Sequence, residues 1–143
     1  MVNEDVPANP ADIDWTPVFA HLPWLQSPKA KFGQVIPAAE LPDGGYTMGF
    51  DSLSDRSQEV VDAMYAAGVV GPGVDWARWL DGAGAAIAKD TTGEVITDAP
   101  LDDVRRLLVA IVRGARFNEG LLLEAFLNGS VRRLIERAQV LMS

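Results

Sequence analysis

Apolar residues recur at the spacing of an amphipathic helix over most of this chain, and this repeat restricts its fold more than any other feature. The pattern is clearest between Leu101 and Ala115, where the apolar positions share one side of a helix. Comparable stripes, each with plausible capping residues, predict helices over 14–22, 54–67, 75–87, 118–128 and 130–141. The sequence therefore predicts a mainly α fold, a compact bundle of about five or six helices.

The segment 27–52 breaks this repeat with prolines and glycines. Two short β-like runs remain in it, Phe32–Ile36 and Tyr46–Phe50, and Pro42-Asp43-Gly44-Gly45 between them is typical of a turn. A small β-hairpin between the first and second helices is one interpretation, and an irregular connection is the other. An isolated hairpin needs to pack against helices to be stable, so the pattern leaves both open.

Length and composition describe one ordinary domain. The chain has 143 residues, of which 48% are apolar, and we expect a loose N-terminal lead over 1–12 followed by a single helical domain over 13–143. No apolar run reaches the roughly 18 residues of a membrane span. The first 14 residues do not resemble a signal peptide, so we expect a cytoplasmic protein without a membrane partner.

The scarcity of reactive side chains excludes several kinds of site. The absence of cysteine excludes disulfides, thiol nucleophiles and iron–sulfur clusters, and a single histidine, His21, excludes a metal site that needs two. No Gly-rich phosphate loop with its lysine is present. We therefore assign no catalytic residue, no metal ligand and no cofactor.

Charge is distributed unevenly along the chain, whose formal net charge is −8. Residues 1–99 are strongly acidic, whereas all the basic residues of 100–143 are arginines. A helical wheel places four of them on one edge of the fourth helix, beside its apolar stripe: Arg105, Arg106, Arg113 and Arg116. This edge is either an anion-binding strip or a solvated face paired internally with Asp102.

The run Arg116-Phe117-Asn118-Glu119-Gly120 is the most distinctive short motif. Arg116 and Glu119 either form a polar pair beside a cleft or tie a tight helix–helix corner. We expect both to be partly buried, because Arg116 ends one amphipathic helix, Glu119 begins the next, and Phe117 needs cover between them.

Tryptophans supply most of the large aromatic surface. Trp76 and Trp79 share one helix face, which suits either a platform for a base or sugar or a hydrophobic core. We interpret Trp15, Trp76, Trp79 and Phe117 as structural aromatic residues.

The order of these motifs resembles an uncharacterised bacterial family, classed as a domain of unknown function. The resemblance extends through nearly the whole chain: Trp15…Phe19-x-x-Leu22-Pro23, Val69-Val70…Asp75-Trp76-x-x-Trp79, Arg113-x-x-Arg116-Phe117-x-Glu119-Gly120 and the final Arg133-Leu134 helix. Val74 and Leu121 depart from the pattern, where an aromatic and a histidine are expected. The resemblance implies one compact helical domain and carries no established activity.

Three functions remain open from the sequence. The leading hypothesis is a noncatalytic domain that binds another macromolecule, which we expect to be a protein. Its candidate binding residues are Arg105, Arg106, Arg113, Arg116 and Glu119. Self-association is also compatible with the sequence. The second is nucleic-acid binding through these four arginines together with Arg132, Arg133 and Arg137. The third is an enzyme with an Arg116/Glu119 site, assisted by Asp75 or His21.

Overall fold

The computed structural model describes residues 9–47, 49–71, 96, 98–114 and 120–143. Within them the fold is mainly α with one two-stranded antiparallel hairpin, which confirms the predicted fold class. In chain order the elements are a 3-10 turn (Pro10–Asp12), α1 (Thr16–Phe19), α2 (Leu22–Leu25), β1 (Gly33–Ile36), β2 (Phe50–Leu53), α3 (Asp55–Ala67), α4 (Leu101–Gly114), α5 (Gly120–Leu127) and α6 (Ser130–Met142). The predicted helix over 75–87 lies outside the described residues.

The segment that the sequence suggests is a loose lead contains the short 3-10 turn. The side chain of Asn9 accepts a hydrogen bond from the Ala11 amide and caps the 3-10 turn. The indole Nε1 of Trp15 then donates to the Pro10 carbonyl at 3.0 Å. Trp15 is only 2% exposed, so this bond satisfies its one polar atom and fixes the turn against the core.

The predicted first helix, 14–22, is wrong in its continuity, because the structure has two one-turn helices instead. Pro23 does not stop a helix there. It occupies the first turn of α2, where the missing amide hydrogen has no intrahelical acceptor to lose. The carboxylate of Asp14 accepts from the Thr16 amide at 3.1 Å, so the predicted capping side chain does serve the start of α1.

The hairpin packs between helices and is not isolated. Gly33 pairs with Leu53 and Ile36 with Phe50, so the second strand begins where the sequence pattern placed its end. Tyr46 contributes only an isolated bridge to Glu40. Residues 37–49 therefore connect the two strands, which is a longer connection than the tight turn that the sequence predicts at 42–45.

Aromatic stacking attaches this hairpin to the helices. The ring of Phe32 lies 5.8 Å from that of Phe126 in α5 and 5.3 Å from that of Trp24 in α2. The buried hydroxyl of Ser57 in α3 donates to the Phe32 carbonyl at 2.8 Å. The segment that enters β1 is therefore held by three helices.

Helix α3 has the bounds that its local signals predict. Ser54 accepts the Ser57 amide as N-cap, and Gly68 ends the helix with φ of 85°, a conformation that glycine adopts without strain. Val69 and Val70 follow immediately and are buried in the core.

Helix α4 is the most enclosed of the described helices. Its buried residues cover most of its circumference, and it packs against α5, α6 and the 3-10 turn. The sequence favours the helix predicted over 118–128 for this central place, because Leu121-Leu122-Leu123 spread apolar side chains over most of its circumference. In the structure Leu123 is buried, whereas Leu127 at the end of α5 is exposed.

The sequence favours a loop over 91–99, between the helix predicted over 75–87 and α4, but Ile96 and Asp98 are helical. The amide of Ala99 donates to the Ile96 carbonyl at 3.2 Å, and Ile96 is buried in the core. The helical conformation ends directly before Pro100, because a residue that precedes proline disfavours it.

Candidate functional site: the arginines of the C-terminal helices

Arg105 lies in the interior, not on the exposed edge that the helical wheel predicts. Its side chain is only 4% exposed. The guanidinium Nε donates to the Val69 carbonyl at 3.1 Å, and Nη2 donates to the Gly68 carbonyl at 2.9 Å. Arg105 therefore binds the carbonyl groups that the C-terminus of α3 leaves without intrahelical donors.

The electrostatics of Arg105 fit this structural position. Burial lowers the pKa of its guanidinium, and the nearby carboxylate of Asp102 opposes the shift. Arginine stays protonated in proteins despite such shifts, so a cation is held inside the domain by carbonyl dipoles. Since its donors face the interior, Arg105 is removed from the set that can meet a ligand at the surface.

Arg106 and Arg113 occupy the narrow strip of α4 that solvent reaches. Arg106 lies 3.6 Å from the Asp103 carboxylate, an exposed pair of the kind that contributes little to stability. Within the described part of the chain, Arg113 has no hydrogen bond or ion pair. The predicted edge thus retains two described arginines, one of them in an ion pair.

Several predicted site residues lie outside the described residues. They are Arg116, Phe117 and Glu119 of the distinctive motif, and Asp75, Trp76 and Trp79 of the tryptophan segment. Their proposed roles stay predictions.

A mixed basic and apolar surface lies on α6, and we call it the α6 outer face. It consists of Arg133, Arg137, Val140 and Leu141, which fall within about 100° of one another on an ideal helix. Arg133 and Val140 lie opposite the buried residues of α6, whereas Leu141 lies beside them in the last turn. Val140 is 64% exposed and Leu141 is 38% exposed. This combination of half-buried arginines with exposed aliphatic side chains was not singled out from the sequence.

The arginines of this face differ in their contacts. Arg137 donates from Nε to the Ala99 carbonyl at 2.8 Å, which places the second half of α6 beside the start of α4. Arg133 makes no hydrogen bond or ion pair with a described residue, and its Nε is shielded from solvent without an acceptor. Arg133 is therefore a cation whose solvation is incomplete on one edge.

The connection between α5 and α6 brings two guanidinium groups together, and we call Asn128–Arg133 the α5–α6 corner. Gly129 has φ of 84°, and the Asn128 side chain accepts the Ser130 amide at 2.9 Å. Ser130 was predicted as the helix cap, but it is the first residue of α6 and Gly129 holds the cap position. A Cβ atom on Gly129 would lie 3.0 Å from Arg132 Nη2 and 3.4 Å from Arg133 Nη1.

One carboxylate accompanies these arginines. Glu136 accepts from Arg132 Nη1 at 3.1 Å and from Gln26 Nε2 at 2.8 Å. It therefore links α6 to the residue after α2, and its contact with Arg132 uses a different nitrogen from the one beside Gly129.

His21 sits at the start of α2 and faces α3. Its Nδ1 is buried without a hydrogen-bond partner. Burial lowers the pKa of its imidazole, the positive charge of Arg56 lowers it further, and Glu59 opposes both. Among the described residues no three His, Asp or Glu side chains cluster as a metal site would require, so His21 is not part of a candidate metal site there.

One comparison with known proteins identifies a family for this chain. A family model described as a family of unknown function, DUF6508, matches residues 10–143. The chain belongs to this family. No curated protein and no solved structure matches it. The match to DUF6508 covers all but the first nine residues of the chain.

None of the described helices has the length and the apolar character needed to cross a bilayer.

Proposed function

We propose that this DUF6508 protein is a noncatalytic binding domain that takes an acidic segment of another protein along the α6 outer face. The observation that carries the proposal is the exposure of Val140 and Leu141 in the last turn of α6, on the same side of the helix as Arg133 and Arg137. Exposed aliphatic groups favour an apolar contact, and arginines at its border favour carboxylates.

The charge of the helix supports an acidic occupant. Arg132, Arg133 and Arg137 stand against the single carboxylate of Glu136 in α6, and Arg133 has no anionic partner among the described residues. A guanidinium that forms two parallel hydrogen bonds with a carboxylate gives both strength and orientation. A helix face with apolar and basic positions therefore suits a partner with apolar and acidic ones.

The test is a peptide-display selection on immobilised protein, with matched variants. We expect wild-type protein to enrich peptides that combine acidic and aliphatic residues. Leu141→Asp should abolish this enrichment, because it places a negative charge in the binding face. Leu41→Asp is the control, since Leu41 is equally exposed at 38% but lies in the hairpin connection.

Three results would contradict the proposal. One is equal enrichment by the Leu141→Asp and Leu41→Asp proteins, which would exclude the α6 outer face. Another is no enrichment by wild-type protein together with micromolar binding of single-stranded DNA or RNA at low salt, which would favour the nucleic-acid function instead. The third is self-association of the wild-type protein that Leu141→Asp abolishes, which would identify the occupant as a second copy.

A further inference from the structure

We infer that the α5–α6 corner is a binding site for a phosphate group, supplied by inorganic phosphate or by a phosphate monoester. The inference does not rest on the proposed protein partner. The site shares Arg133 with the α6 outer face but includes none of the exposed aliphatic residues of that face.

The two guanidinium groups of the corner converge on one point. Arg132 Nη2 lies 3.0 Å and Arg133 Nη1 lies 3.4 Å from the place of a Cβ on Gly129, so the two nitrogens are separated by no more than the sum of these distances. An oxyanion that accepts from each nitrogen at about 2.8 Å can bridge such a gap. A carboxylate presents two oxygens in one plane. A tetrahedral phosphate presents oxygens in several directions, so each guanidinium group can bind a different oxygen in its own plane.

The charges of the corner are incompletely compensated within the described structure. Glu136 contacts Arg132 through Nη1 and leaves Nη2 beside Gly129. Arg133 has no carboxylate within ion-pair distance, and its Nε is shielded from water without an acceptor. Two guanidinium groups held near each other repel one another, and an anion between them removes that repulsion.

The backbone around the corner adds to the attraction. The first turn of the 13-residue α6 carries the positive end of the helix dipole. Gly129 has no side chain, so the space between the two guanidinium groups is open to a ligand; a methyl group there would press on Arg132 Nη2. The two arginines form the site, and the helix dipole adds to their attraction for an anion.

The experiment is a titration of the ¹⁵N-labelled full chain with sodium phosphate at constant ionic strength, with sodium chloride as the reference salt. We expect saturable shifts of the amides of Gly129–Arg133 and of the Arg132 and Arg133 Nε–H groups, with a Kd on the order of 1 mM. Glycerol 3-phosphate is the second probe. Tighter binding of glycerol 3-phosphate assigns the site to monoesters, and tighter binding of phosphate assigns it to the free ion.

Variants separate a site from general attraction to a basic surface. Arg133→Met should weaken phosphate binding about tenfold or more, and Arg133→Lys should fall between, because an ammonium lacks the planar fork. Arg113→Met is the control, since Arg113 also has no ion pair in the described structure. The amide spectrum of each variant confirms that it is folded.

Three outcomes would overturn the inference. The first is a linear, unsaturated response to phosphate that chloride reproduces. The second is an equal loss of affinity in Arg113→Met and Arg133→Met. The third is a set of saturable shifts that lie away from residues 128–133.

Discussion

Replacement of Arg105 by methionine tests the interior clamp between α4 and the end of α3. Methionine keeps most of the apolar stem, but the carbonyl groups of Gly68 and Val69 lose the donors that lie 2.9 and 3.1 Å away. Each buried acceptor left without a partner costs about 1–3 kcal/mol. Removal of the buried charge returns part of this loss, because a desolvated guanidinium is itself unfavourable.

We therefore expect Arg105→Met to lower the free energy of unfolding by about 3 kcal/mol. For a domain of this size that corresponds to a fall of roughly 9 °C in Tm. The assay is urea unfolding followed by circular dichroism, in which the midpoint should fall and the m-value should stay constant.

Arg113→Met is the matched control on the same helix. Arg113 lies on the strip of α4 that solvent reaches and has no ion pair in the described structure, so its loss should change the stability by less than about 0.5 kcal/mol. Equal shifts of the urea midpoint for the two variants would refute the clamp, because an arginine bonded to two buried carbonyls would then contribute no more to stability than a surface arginine.

Three further predictions concern other parts of the fold. Because burial lowers the pKa of His21, protonation favours the unfolded chain, so wild-type Tm should fall as the pH drops below the ordinary histidine pKa; His21→Gln should reduce this fall between pH 7 and about 5.5, and an unchanged fall would exclude His21. Gly33→Ala should lower the free energy of unfolding by more than about 2 kcal/mol, because its Cβ would collide with the Ser52 carbonyl oxygen, whereas Gly44→Ala, which meets open space at φ of 90°, should cost only about 1 kcal/mol; equal urea midpoints would contradict this. Ser57→Ala should cost about 1 kcal/mol, because the buried hydroxyl is one of two donors to the Phe32 carbonyl and the Ser54 amide remains, and an unchanged urea midpoint would show that this bond does not hold the hairpin.

Where neighbouring residues decide the local structure, the sequence was sufficient to predict it. The Ser54 cap, the apolar face of α3 and the left-handed Gly68 all follow from nearest-neighbour rules. The same rules failed for the first helix, because Pro23 is equally compatible with the end of one helix and the first turn of the next. Only packing of both short helices against the core distinguishes them.

The candidate site was predicted less well, for a physical reason. A helical wheel gives the direction of a side chain but not what lies there. Arg105 points toward the end of α3, which the wheel of α4 cannot show, and it is buried. Leu141 was counted with the apolar side of the sixth helix, and on an ideal helix it lies only about 20° from Leu134. Leu134 is buried and Leu141 is exposed, so the helical wheel could not distinguish them, and the α6 outer face depends on what packs against each turn.

Convergence of the arginines at Gly129 also depends on tertiary structure. Asn128-Gly129-Ser130 predicts a junction between two helices, and the junction is present. Side-chain rotamers place Arg132 and Arg133 on either side of the same glycine, and no spacing rule gives that arrangement.

The most direct test of the proposed function is a titration of ¹⁵N-labelled protein with an acidic, aliphatic peptide obtained from the display selection. We predict that the largest amide shifts fall on Arg133, Arg137, Val140 and Leu141, and that the Leu141→Asp protein loses them while the Leu41→Asp protein keeps them. Shifts concentrated on the hairpin or on the exposed strip of α4, with α6 unchanged, would contradict the account.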